Sequence, residues 1–536
     1  MAERGNARRR VGGIGRAAVM IGAITMLARV IGFGRQVVFA HTVQAGCLGT
    51  AYTTANMVPN IIYDIVMGGA LTAVVVPVLA GPARAPAGDR DQVRQTSAAL
   101  LSWTGLLLAP ISAVVAIAAR PLVSALLGAA PGCPRTDMVA LGTRMLIVFA
   151  PQILLYGLAV VLYGILQAHR KFVAPALAPV LSSLVVIGAY FWFAQVADGS
   201  QNLRQPVPDA AWIILAVGTT AGVAALVATP LVPVTRLRLH LRPTLKFPVG
   251  ISGRVRSLAA AGVATLIAQD ASVAVVIVLA NSHGGDGTLV LYSFAWAVFF
   301  LPYAVLAVPI ATSAFPELSA RADTFDATTA TTTRAVMVAS WLGAAGMAGT
   351  CIPLARVFQS HVGQAADARQ LAIALAAFAP GLVGYGLTAN LSRVLYAAGR
   401  SRASALAVSG GWLIVIIADL LIVPFVPRSQ VVPWLGVGTT IGLTVSGVAL
   451  LVLVRRLRGP RALRGCARAS VAGLAGALAG TAAGLGVALG IPVRGFLPNV
   501  GVTLLASGAV LAAFLAVVAL TDGGDLRSVV RRVVRP

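Results

Sequence analysis

Long, uninterrupted apolar runs dominate this chain of 536 residues. Runs of 18 or more apolar residues recur from end to end, parted by short polar or basic segments, as in membrane-spanning helices. Alternation over about ten residues, the mark of a transmembrane β-barrel, is absent. The runs predict fourteen spans, near 17–41, 51–80, 97–119, 137–168, 173–195, 210–234, 256–281, 288–315, 335–355, 370–398, 403–425, 432–454, 467–490 and 497–520. The expected fold class is an all-α polytopic membrane protein. Gly32, Gly34, Pro59, Gly68, Gly69, Pro151, Pro302, Pro309 and Pro380 fall inside the runs and predict kinks and close helix approaches.

Charge adds an orientation. Only 11% of residues are charged, yet the net charge is +25. In a soluble protein that excess would point to nucleic acid. Here the distribution gives another account. With the N-terminus in the cytoplasm, 31 of the 41 Lys and Arg residues fall on inner segments and 7 on outer ones, with Arg29, Arg35 and Arg144 inside spans. By the positive-inside rule this predicts a multi-pass plasma-membrane protein with both termini cytoplasmic and no nucleic-acid partner. The expected organisation is a basic N-terminus (1–16), a six-span lobe (17–234), a basic cytoplasmic loop (235–256), a second six-span lobe (257–454), spans 13 and 14 (455–520) and a basic tail (521–536). Short similarities, VVVPVLAG at 74–81 with SAFPELSA at 313–320 and GILQAHR at 164–170 with VLYAAGR at 394–400, recur about one lobe apart. They predict a parallel repeat about an axis along the membrane normal. MAERGNARRRVGGIGR is like the basic start of a signal peptide. The run after it is too long, holds two arginines and lacks a small-residue cleavage site, so it is read as the first span.

Catalytic chemistry is not signalled. All five histidines lie in loops or at span ends, no phosphate-binding GxxxxGK[ST] loop occurs, and no two acids stand at catalytic spacing on one helix. No catalytic residue, metal or cofactor is expected, and an ion gradient or the membrane potential must supply the work. Cys47, Cys133, Cys351 and Cys466 form no CxxC pair. Cys47 and Cys133 fall on outer loops; two unrelated thiols are the expectation, with a bond between them left open.

Charges inside spans are the functional candidates, because an ionisable group in a bilayer usually faces a bundle interior or a wet cavity. Arg29 and Arg35 lie on span 1, six residues apart, about 9 Å of rise. Asp64 lies near mid-depth on span 2. It either pairs structurally with Arg29 or serves the same cavity. Arg144 is expected to snorkel toward the outer surface. Asp270 on span 7 and Asp419 on span 11, with Thr439, Thr440 and Thr444 on span 12, are candidates for coupling to Na+ or H+; the alternative is that the acids only pack.

The stretch RVIGFGRQVVF, an AG turn, then ANMVPN and GGALTAVVVPVL over residues 29–79 resembles the first two helices of the MurJ (MviN) family of lipid II flippases, in the MOP exporter superfamily, in a variant like the actinobacterial members. GILQAHRKF followed by APALAPV at 164–180 resembles the family again. The resemblance implies fourteen helices in two six-helix lobes plus two. It implies alternating access, and movement of an undecaprenyl-pyrophosphate-linked peptidoglycan precursor, lipid II, from the inner to the outer leaflet for cell-wall synthesis. Membrane lipids, and proteins of cell-wall synthesis and division, are the implied partners. On this resemblance Arg29, Arg35, Asn60 and Asp64 bind substrate. Departures stand at Tyr63, Asp64 and Gly68, where many relatives have Arg-Arg, an acid and Gly-Ala, and at Ala295 and Trp296, where many have Asp-Arg. Two alternatives stay open: a flippase for another polyprenyl-linked glycan precursor, and a transport-incompetent cell-wall scaffold.

Overall fold

A computed structural model of the chain describes residues 2–65, 90–128, 133–197, 199–203, 206–239, 241–247, 251–320, 323–358 and 365–534. Among the described residues all regular structure is helical. The α-helices are α1 Ala2–Thr42, α2 Cys47–Ile65, α3 Arg90–Ile117, α4 Ala119–Leu126, α5 Arg135–Phe149, α6 Gln152–Ala168, α7 Val173–Val196, α8 Asp209–Thr235, α9 Ile251–His283 and α10 Thr288–Pro302. They continue as α11 Val308–Ala320, α12 Phe325–Gly349, α13 Cys351–Val357, α14 Ala365–Phe378, α15 Gly381–Ala397, α16 Ser401–Ile422, α17 Val431–Arg458, α18 Cys466–Gly490 and α19 Phe496–Val534.

Eleven described segments are long and apolar enough to cross a membrane, or thirteen if each of two bent helix pairs is one span. These thirteen overlap thirteen of the fourteen predicted spans. The remaining one, 51–80, is described only to Ile65; its GGALTAVVVPVL motif and the repeat match at 74–81 lie outside the described residues.

Proline marks some of the breaks, because it removes an intrahelical hydrogen bond and crowds the preceding turn, although Pro59 and Pro309 lie inside unbroken helices. α5 and α6 part at Ala150–Pro151. The carbonyls there find side chains instead: Thr220 Oγ1 donates to Val148 O at 3.0 Å and Ser112 Oγ to Ala150 O at 2.7 Å. Pro302 precedes a π-helical turn, Tyr303–Ala307. α14 and α15 meet at 44° before Pro380 and Gly381, and α12 and α13 at 64° around Thr350. Gly32 and Gly34 lie in unbroken α1.

The chain forms two compact units, the first reaching Asp270 and the second starting at Ala271. In the first unit, α7 packs on α1 and α8, α6 on α3 and α8, and α2 on α5. Its Cys47 and Cys133 are disulfide-bonded. That corrects the expectation of two unrelated thiols: separation in sequence hid a pairing that tertiary structure creates. In the second unit, α17 lies against α14, α15 and α16, while α18 and α19 form a hairpin packed on α12. Small residues allow these approaches. A Cβ at Gly384 of α15 would collide with the Leu443 backbone of α17, and one at Gly442 with Val415 and Gly411 of α16. Apolar side chains face outward along the spans, among them Val114, Ile117, Trp192, Leu504 and Leu520, as a bilayer requires.

Candidate functional site

Helix α2 organises the polar interior of the first unit. Tyr52, Asn56, Asn60 and Tyr63 recur at spacings of four, four and three, which puts them on one helical face. Tyr52 is buried between the rings of Phe39 (5.4 Å), Phe149 (5.6 Å) and Tyr190 (6.3 Å). Thr219 Oγ1 donates to Leu215 O at 2.7 Å. The Tyr52 hydroxyl, 2.9 Å from Thr219 Oγ1, therefore donates to it and accepts from the Tyr190 hydroxyl at 3.0 Å. This directed chain ties α2 to α7 and α8. Two turns on, the Tyr156 hydroxyl of α6 donates to Asn60 Oδ1 at 3.0 Å, and a turn further the rings of Tyr63 and Tyr156 lie 4.2 Å apart.

The predicted charges sit around this face. Arg35 is half-buried on α1, and its charge acts on Tyr52, Tyr156 and Tyr190. Arg29 is exposed and acts on Tyr63. Asp64 is exposed and acts on Tyr63, Tyr156 and Asp270. The charges of Arg29, Arg35 and Asp64 thus act on the tyrosines around α2, and Asn60 is bonded to one of these, Tyr156. Asp270 is 3% exposed, and neither carboxyl oxygen has a hydrogen-bond partner. Arg144 reaches the surface, 3.7 Å from Asp209 and 5.9 Å above the Trp212 ring.

The second unit holds a different constellation. Asp419 on α16 is 1% exposed, and neither of its carboxyl oxygens has a hydrogen-bond partner. One oxygen lies against Gly438, where a Cβ would collide with it. Thr439 is buried beside it, and Tyr292 is close enough to feel the Asp419 charge and to approach the Thr439 hydroxyl. Thr440 turns away and donates to Ala377 O at 2.7 Å. A buried ionised carboxylate without donors is costly, which is what makes the two acids candidates for a proton or a cation. Asp270 and Asp419 belong to different units.

Where the family pattern has Asp-Arg, Ala295 is buried and Trp296 joins an aromatic cluster. Its ring lies 5.4 Å from Phe299, 6.3 Å from Tyr292 and Phe378, 6.4 Å from Trp412 and 6.5 Å from Tyr385. Tyr385 stacks in turn on Tyr303 at 3.8 Å. Neither this cluster nor the Tyr190–Tyr52–Thr219 chain is picked out by a search for charged groups in spans. The helical spacing on α2 was the available signal for the tyrosines.

The family model for the lipid II flippase MurJ matches residues 39–409. The lipid II flippase MurJ of Burkholderia cenocepacia is 25% identical over 459 residues, 83% of this chain and 84% of that one. In fold, the chain is similar to a lipid II flippase MurJ solved in an inward closed conformation, with a TM-score of 0.70, 18% identity and coverage of 93% of this chain and 99% of the other. It is also similar to an inward-facing multidrug resistance MATE transporter of the MOP superfamily, with a TM-score of 0.62, 13% identity and coverage of 82% and 98%. At these identities the two structures speak to the fold alone.

Proposed function

The chain belongs to the lipid II flippase MurJ family, and from that premise we propose that it moves lipid II from the inner to the outer leaflet of the plasma membrane for peptidoglycan synthesis. This is a family of transporters rather than of catalytic enzymes. The observation that supports the reading, beside the match over residues 39–409, is that the charges of Arg29 and Arg35 act on Tyr63 and on Tyr156, the latter bonded to Asn60. Two guanidinium groups suit a pyrophosphate headgroup. Charge-assisted hydrogen bonds are roughly twice as strong as neutral ones, and the planar fork of Arg meets phosphate oxygens in pairs. Access alternates between the leaflets in this reading, and both termini are cytoplasmic. The basic inner segments support that orientation, and so does the Cys47–Cys133 bond on the opposite side, where an oxidising compartment preserves it.

Energy comes first from the membrane potential, about 2.3 kcal/mol per charge per 100 mV. A cation or proton at Asp419 or Asp270 is the second source. The deciding experiment is complementation of a strain depleted of its own lipid II flippase. Growth should be restored by the native chain, lost in Arg29→Ala and partly kept in Arg29→Lys, with all three present in the membrane. Normal growth of Arg29→Ala would remove Arg29 from the reading. The aromatic cluster at Trp296 favours one other cargo, a different polyprenyl-linked glycan precursor. Failure to complement, with transport of such a precursor in vesicles, would select it.

A further inference from the structure

The segment that leaves α8 carries the alternation Arg236-Leu-Arg-Leu-His-Leu-Arg242, followed by Pro243. Its leucines Leu237, Leu239 and Leu241, and Phe247 beyond, pack on a buried cluster that includes Leu100, Val161 and Leu162. Pro243 fixes its own backbone and disfavours a helical Arg242, and residues 241–247 run as a strap rather than a helix. Three bonds pin it to α3. The Trp103 indole N–H donates to Leu245 O at 3.0 Å, Gln95 Nε2 donates to Lys246 O at 3.2 Å, and the Thr244 backbone N–H donates to Ser102 Oγ at 3.1 Å.

Between strap and helix runs an open groove of about 760 Å³. Its walls are graded. Leu101, Leu106, Pro243 and Leu245 line it, with Leu106 and Leu245 51% and 49% exposed. Lys246 also lines it and is exposed. The Gln95 bond to the Lys246 carbonyl holds this residue beside the charged start of α3, where Arg94 pairs with Asp91 at 3.2 Å. Leu106 lies eleven residues beyond Gln95, about 16 Å along the helix axis. Past it, Leu107, Val114 and Ile117 stay exposed on the same helix. One end of the groove therefore offers an ammonium group at the membrane interface, and the other opens into hydrocarbon.

We propose that this groove is a binding site for an anionic membrane phospholipid. Its phosphate meets Lys246, and one acyl chain lies along Leu101, Leu106 and Leu245. The charge at the shallow end gives an anionic head a partner that a purely apolar occupant lacks, and the leucines at the deep end give an acyl chain a surface that a free phosphate ion cannot use. The strap is pinned before any lipid arrives, so little ordering cost remains. The assignment stands apart from what the transporter carries.

The test uses the full-length protein in nanodiscs of phosphatidylcholine containing phosphatidylglycerol, with bromine on the acyl chains of one lipid or the other. Bromine quenches indoles on contact, and subtracting the signal of Trp103→Phe isolates Trp103 beside the groove. Brominated phosphatidylglycerol should be preferred over brominated phosphatidylcholine about fivefold at equal mole fraction, the equivalent of about 1 kcal/mol for one lysine at an anionic surface. Lys246→Gln should abolish the preference and Lys246→Arg should keep it. Three results would overturn the assignment. They are equal quenching by both lipids in the native chain, a preference that survives in Lys246→Gln, and displacement of the brominated lipid by one equivalent of a polyprenyl pyrophosphate, which would make the groove a cargo site.

Discussion

The Cys47–Cys133 bond closes a loop across a separation of 86 residues, which includes α2, α3 and α4. Cys47 opens α2, little more than one turn before Tyr52, and is itself buried. Removing the bond acts first on the unfolded chain. The loop-closure relation gives about 4.6 kcal/mol for a loop of this length at 25 °C. That is an upper figure, because helices that stay formed in the unfolded protein already restrict the loop. A paired Cys47→Ser, Cys133→Ser variant should melt well below the native protein in detergent, followed by tryptophan fluorescence. The native protein treated with reductant should melt with the variant. On a non-reducing gel the native chain should run faster than its reduced form, and after denaturation without reductant only Cys351 and Cys466 should take maleimide. Labelling of all four cysteines would show that the bond does not form. A bonded protein that melts together with its reduced form would refute the loop-entropy reasoning.

Tyr52→Phe leaves the ring packing but strands the buried Tyr190 hydroxyl, while Thr219 keeps its bond to Leu215 O, and should cost about 1–3 kcal/mol in unfolding free energy measured by denaturant titration. Gly438→Ala drives a methyl group into the Asp419 carboxylate and should cost about 1–3 kcal/mol by overpacking, read as a lower melting temperature. Gly384→Val meets the Leu443 backbone, which cannot yield as a side chain can, so membrane yield and melting temperature should both fall. Asp270→Asn and Asp419→Asn keep size and remove charge; if either acid carries the coupling ion, transport in vesicles by that variant loses its dependence on Na+ or pH.

Much of the fold was legible because the bilayer permits few solutions. A run such as 173–195 has no option but a helix, and the observed helix is Val173–Val196. Breaks at Pro151 and Pro380 were readable for the same local reason. The disulfide was not, since nothing near Cys47 in sequence announces Cys133. Of the site, the charged members were visible one by one, because charge in a span is rare. Their neighbours were not, because a tyrosine in an apolar run looks the same whether it packs or bonds. The Asn60–Tyr156 contact joins residues 96 positions apart and exists only once α2 and α6 meet. The Arg236–Lys246 segment read as a basic loop, and only packing shows its leucines turned onto α3 and α6.

The two units also differ in how they could meet an anion. In the first, the hydroxyls of Tyr52, Tyr156 and Tyr190 and the Asn60 amide oxygen are engaged in hydrogen bonds, and Arg35 acts on the three tyrosines. Groups so engaged need little rearrangement when a phosphate arrives. In the second, the span 288–319 contains no Lys or Arg, and its Trp296 is enclosed by rings. That span offers an incoming pyrophosphate no guanidinium. Charge recognition by the MurJ-like cargo site would then rest on α1, and Arg29 and Arg35 would have no counterpart in that span to buffer their loss. In a relative with an Asp-Arg pair at that place, one helix-1 substitution leaves a further cation for the headgroup. Here it leaves a single guanidinium, that of Arg35, in the membrane-spanning part of α1, Gly22–Thr42. Trp296→Arg in the Arg29→Ala background tests the point: regained complementation would show that charge is the missing element, and no gain despite normal membrane insertion would show that the position of Arg29 on α1 matters more than the charge it carries.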